Sequence, residues 1–105
     1  MKTIIHRIRL HEGVSAARFE EWVREVDYAA CPGLPSVEAF GVHRVPEEVG
    51  ASHQYVEIIS VESLEAFERD MKTAAFHALE VEFDTMAEVV DETTVTLIEP
   101  GYAKN

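Results

Sequence analysis

Residues 2–10 alternate with a period of two. Ile4, His6, Ile8 and Leu10 fall on one side of an extended chain and Ile5, Arg7 and Arg9 on the other, which predicts a first strand. Glu12-Gly13 supplies a turn and Ser15 an N-cap, after which Phe19, Trp22, Val23, Val26 and Ala30 recur at helical spacing opposite Glu20, Glu21, Arg24 and Glu25. Pro32, Gly33 and Pro35 end that helix, because proline lacks an amide donor and pushes its predecessor out of the helical region. Residues 36–45 (SVEAFGVHRV) and 53–61 (HQYVEIISV) read as the second and third strands, with the turn residues PEEVGAS between them. Leu64, Phe67 and Met71 then recur at i, i+3 and i+7. After a break at Lys72-Thr73, Phe76, Leu79, Phe83, Met86, Ala87 and Val90 extend a second long helix. The β-branched run 92–99 (ETTVTLIE) predicts a fourth strand, closed by Pro100-Gly101.

The order is β-α-β-β-α-β over one domain, residues 1–105, which gives an α+β, ferredoxin-like fold: a four-stranded antiparallel sheet with helices on one face. Strands two and three carry apolar residues on both faces. That pattern requires cover on both sides, helices on one and a second sheet on the other. A chain of this length also leaves much of its surface unburied, so a homodimer formed through the bare sheet face, a dimeric α+β barrel, is the expected assembly.

Charge narrows the partners. Twenty acidic against nine basic residues give a net charge of −11, which repels phosphate backbones and anionic membrane surfaces and argues against nucleic acid or membrane as a partner. The opening MKTIIHRIRL places His6, Arg7 and Arg9 inside its apolar stretch, so neither a secretory signal nor a membrane span fits there, and a cytoplasmic location is expected. Cys31 is the single cysteine and reads as a small, partly buried thiol beside Pro32; an internal disulfide or a multi-cysteine metal site is ruled out. No histidine or carboxylate pair has metal-ligand spacing, and neither a Gly-rich phosphate loop nor a nucleophile elbow is present, so no cofactor is expected.

Three stretches, MKTIIHRIRLHEGVSAARFEEWV, CPGLPSVEAFGVHR and DMKTAAFHALEVEFDTM, make nearly the whole chain resemble the dimeric α+β barrel superfamily and, within it, the RedY-like HapK family associated with the bipyrrole branch of prodigiosin-type pigment biosynthesis. The resemblance implies a cavity between each subunit's own sheet and helices. Superfamily members include cofactor-free polyketide cyclases and small monooxygenases that place one histidine early in the first strand and another where the last long helix begins; His6 and His77 match those positions. The cyclase pattern adds a histidine or tyrosine from strand three, matched first by Tyr55 and next by His53. Haem-degrading members rely on a strand-one asparagine and a tryptophan near the second helix, and this chain has neither.

The catalytic candidates are therefore His77, His6 and Tyr55. His77 lies near a helix start, where unpaired amides favour a neutral imidazole, while Glu80 and Asp84 on the same flank favour the imidazolium. A surface histidine bonded to Glu80 is the competing structural reading. His6 shares its strand face with Ile4 and Ile8, so it lines the cavity or is a satisfied core histidine. The candidate substrate-binding residues are His53, Glu57, Phe40, Trp22, Phe76 and Phe83. Glu57 would orient a histidine or sit solvated at the rim, and the aromatics fill core unless a planar heteroaromatic stacks on them. The function expected is binding of a pyrrole or bipyrrole intermediate, with a cofactor-free acid–base condensation or cyclisation; a non-catalytic carrier and a cofactor-free monooxygenase are the alternatives.

Overall fold

The computed structural model describes residues 1–105. Strand β1 (Lys2–Leu10) leads to helix α1 (Ala16–Trp22), which continues through a π-helical segment (Val23–Asp27) and a last turn, α2 (Tyr28–Ala30), into the 3-10 turn Cys31–Gly33. Strands β2 (Val37–Arg44) and β3 (Tyr55–Val61) follow, then α3 (Leu64–Met71), α4 (Ala74–Asp84) and β4 (Ala87–Thr96). The sheet order is β2-β3-β1-β4 with every pair antiparallel, the arrangement expected of a ferredoxin-like fold. Ser15, Ser63 and Thr73 each accept an amide hydrogen bond from the residue three positions on, so all three N-caps satisfy otherwise orphaned donors. The break at Lys72-Thr73 is real: Lys72 closes α3 and Thr73 opens α4.

Three features differ from the sequence reading, each for a physical reason. The second long helix ends at Asp84, and Met86, Ala87 and Val90 lie beyond it, the last two in β4. Their helical spacing is overridden by pairing, because Ala87 sits opposite Leu10 at the end of β1. Strand β4 stops at Thr96, opposite Lys2, and Leu97–Glu99 extends past the end of its partner strand. Val26 is 37% exposed although it belongs to the apolar stripe of the first helix. The wider π turn carries an extra residue, so the face defined by Phe19 and Val23 meets Asp27 next.

The core has two halves. Ile8, Phe19, Val23, Tyr55, Met86 and Ala87 form one, and Ile4, Ile59, Val61 and Phe67 the other. Along the helix-facing side of β1 the order is Ile4, His6, Ile8, and along β3 it is Ile59, Glu57, Tyr55, so a polar row separates the two apolar halves. At the edge of the second half, the buried Asp70 accepts hydrogen bonds from the backbone N–H and hydroxyl of Ser36, tying the end of α3 to the entry of β2. The opposite sheet face, with Ile5, Val56 and Ile58, is only half-buried.

Candidate functional site

A cavity of about 550 Å³ lies between the helix-facing side of the sheet and the helices, and most of its lining is hydrophobic. That volume suits a small organic ligand. Of the sequence candidates, His6, Glu57, Phe40, Trp22, Phe76 and Phe83 all line it.

The polar floor follows from strand register. His6 pairs with Glu57 across β1–β3 and with Glu92 across β1–β4, and residues directly opposite in adjacent strands hold their Cβ atoms about 4.5–5.5 Å apart on one face. Nδ1 of His6 lies 2.8 Å from Glu57 Oε1 and Nε2 lies 2.6 Å from Glu92 Oε2. Burial lowers the His6 pKa, but the hydrogen bonds and charges of the two carboxylates outweigh it and leave the imidazole above its ordinary value. A carboxylate at each ring nitrogen favours the imidazolium form, which donates one N–H to each glutamate. Glu57 spends Oε1 on this bond, and the residue itself lines the cavity.

The helical side supplies Asp27, a residue the sequence reading missed. Its carboxyl lines the cavity with no hydrogen-bond partner, and burial, then the charge of Glu57, push its pKa up to about 7. The signal was present: Asp27 follows Phe19 and Val23 at i+8 and i+4, an acid in register with a buried apolar face. Glu92 was also missed, since only the pairing of β4 with β1 brings it to His6. Cys31 lines the cavity beside Asp27, and burial with the charges of Asp27 and Glu57 lifts its thiol to about 11, which makes it a poor nucleophile. Trp22 forms part of the wall and its indole N–H donates to Glu82 Oε2 at 2.6 Å, bracing the first helix against α4.

Three candidates lie elsewhere. The His77 side chain is 64% exposed on the outer surface of α4, with Nδ1 3.3 Å from Glu80 Oε1, and is not part of the cavity wall. Phe76, Leu79 and Phe83 form the inward stripe of that helix, and one residue beyond Phe76 is a rotation of about 100° away from it. Tyr55 packs its ring on Phe19 at 4.8 Å within the core, and its hydroxyl donates to Glu20 Oε2 at 2.7 Å, in a separate shallow depression that Arg44 also lines. Burial and this bond to Glu20 push its pKa up to about 12. His53 precedes β3 in a loop and does not reach the cavity. No group of three or more His, Cys, Asp or Glu side chains has an arrangement that would hold a metal ion, and no helix is long and apolar enough to cross a membrane.

Comparison with known proteins agrees with this fold. The crystal structure of HapK from Hahella chejuensis is 47% identical, with each chain fully covered and a TM-score of 0.92. SnoaB from Streptomyces nogalater, a cofactor-independent oxygenase, shares the fold at 18% identity, 94% coverage of each chain and a TM-score of 0.76. A dimeric ferredoxin-like protein of unknown function from Thermobifida fusca shares it at 12% identity, covering 90% of this chain and 86% of its own, with a TM-score of 0.64. Among curated proteins, none matches. Residues 2–98 match the family described as REDY-like protein HapK, and the chain belongs to that family.

Proposed function

We propose that this protein binds a pyrrole or bipyrrole intermediate of prodigiosin-type pigment biosynthesis in the cavity between its sheet and helices, acting as a cytoplasmic homodimer. The observation that carries this reading is a mostly apolar hollow with a polar row, His6, Glu57 and Glu92, across its sheet floor and Asp27 on its helical side. Aromatic walls, Trp22, Phe76 and Phe83, suit a flat heteroaromatic, and the Glu57 carboxyl group on the same lining offers an acceptor for a ring N–H. Catalysis in the hollow is of the acid–base kind: the carboxyl of Asp27 titrates near neutrality, as a proton donor and acceptor in cofactor-free chemistry should. His77 and Tyr55 take no part, since neither side chain reaches the ligand space.

Trp22 is the sole tryptophan and stands in the cavity wall, so its emission reports occupancy. Titration with a bipyrrole carbaldehyde is expected to quench it saturably at one ligand per chain. Glu57→Gln, which breaks the ion pair to His6, is expected to weaken binding by about tenfold or more, while His77→Ala leaves it unchanged. Wild-type emission that stays unaltered up to ligand saturation of the solution would sink the proposal. Binding without turnover in a mixture of the aldehyde and a monopyrrole selects the carrier form of the same function.

A further inference from the structure

Resting on that reading of the cavity, we infer that Asp27 and Glu57 form a donor–acceptor pair that selects a ligand bearing a carbonyl next to a ring N–H. The two carboxyls line one hollow from opposite layers, Glu57 from the sheet and Asp27 from the end of the π-helical segment. Their situations differ. Glu57 is bonded to His6, whose two ring nitrogens each face a glutamate, and it takes the acceptor's part. Asp27 makes no side-chain hydrogen bond, faces a negative neighbour and is half-buried on the cavity wall. Two carboxyls in such unlike surroundings divide into one acid and one base. The acid donates its O–H to the carbonyl oxygen and the carboxylate accepts the ring N–H. A carboxylate-bearing or phosphorylated ligand is excluded, because the other charged groups on the lining, Glu68, Glu80, Asp84, Glu88 and Glu92, are also acidic and His6 is the lone cation.

Of the groups that face Asp27, from the sheet His6, Glu57, Glu88 and Glu92, from its own segment Cys31 and from the helices above Glu68, Glu80 and Asp84, only His6 ordinarily titrates near neutrality as Asp27 does here. The experiment separates the two. Affinity for a pyrrole carbaldehyde, formyl group beside the ring nitrogen, is read from Trp22 emission at about pH 6 and about pH 9 for the wild type, Asp27→Asn and Asp27→Ala. The wild type is expected to lose at least about tenfold in affinity between the two, since the competent, protonated fraction falls with pH. Asp27→Asn keeps an N–H donor at every pH and is expected to bind equally at both; Asp27→Ala is weak at both. A pH dependence that survives in Asp27→Asn assigns the titration to His6 and overturns the inference, as does a wild type with no pH dependence. The N-methyl pyrrole carbaldehyde and a methylpyrrole without the formyl group are each expected to bind more weakly than the parent; equal binding also overturns it. Carboxyl carbon NMR of Asp27 in the wild type keeps the test open if a variant fails to fold. Failure of every pyrrole to bind at every pH condemns the function proposed above, whereas tight binding indifferent to Asp27 condemns only this pair.

Discussion

An aspartate that retains its proton at neutral pH costs stability. The Asp27 carboxyl sits near 3.8 in the unfolded chain and, through burial and the charge of Glu57, at about 7 in the folded one. The folded state therefore binds the proton more tightly, and stability falls as pH climbs from about 4 through 7. Asp27→Asn removes this slope. At about pH 8 urea denaturation is expected to find the variant more stable by roughly 1–3 kcal/mol, the range left after allowing for solvent screening of a partly exposed group, and the gain should shrink towards about pH 5. His6 contributes with the same sign by a different route. Its pKa is raised, so the stability from its two carboxylate partners is fully present below about 6.5 and is lost as pH rises through the higher folded value. That component persists in Asp27→Asn. At this scale the sequence was partly legible: strand alternation put His6 on a face with Ile4 and Ile8 and Glu57 on a face with Tyr55, and the register shows that both faces meet the helices. Asp27 escaped because the helical stripe had an apolar alternative in Val26, and only the π turn decides between them.

Among the helices longer than one turn, α4 alone buries none of its residues. Phe76, Leu79 and Phe83 all face inward, but what they face is the cavity. Its anchors are the Thr73 cap, the Trp22–Glu82 hydrogen bond, the His11 ring bonded to the Asp84 carbonyl, and ring contacts of Phe76 with Phe67 and of Phe83 with Phe19 and Trp22. A helix with few buried contacts opens at low free energy, so amide hydrogen exchange in residues 74–84 is expected to be faster than in β1 and β3 and to slow on addition of a bipyrrole carbaldehyde. Unchanged exchange in α4 at saturating ligand would place the guest elsewhere. The N-caps Ser15, Ser63 and Thr73 and the four strands could be read from spacing and cap chemistry. The start of β4 could not, since Phe83, Met86, Ala87 and Val90 fit a helix until β1 claims Ala87 as a pairing partner.

For the whole molecule, 13 of 105 residues are buried, and the face of the sheet away from the helices stays half-open with Ile5, Val56 and Ile58. The segment after β4 adds Leu97, Ile98 and Tyr102, the latter two almost fully exposed. Apolar surface of this extent is best removed from water by a second copy. Sedimentation is expected to give twice the 11.8 kDa chain mass, and Ile58→Glu, which puts a charge in the middle of that face, is expected to yield monomers that keep the sheet signal in circular dichroism. A wild-type species at the single-chain mass removes the dimer from the proposed function. The antiparallel sheet followed from element order, but the half-open face needed the register, because it depends on which side of each strand the helices take.

The division of the core by a polar row has a consequence for the protein's persistence. His6 and Glu57 keep the two apolar halves apart beside the cavity, so a ligand of the kind proposed above would bridge them and add to the folded state's contacts. A ligand at one hundred times its dissociation constant adds about 2.7 kcal/mol to the folded state, a large share of what a domain of this size commands. Under the function proposed above, abundance in the cell is expected to follow metabolite supply, since chains without ligand spend more time open to proteases; a pulse-chase half-life that is the same with and without the intermediate would count against it.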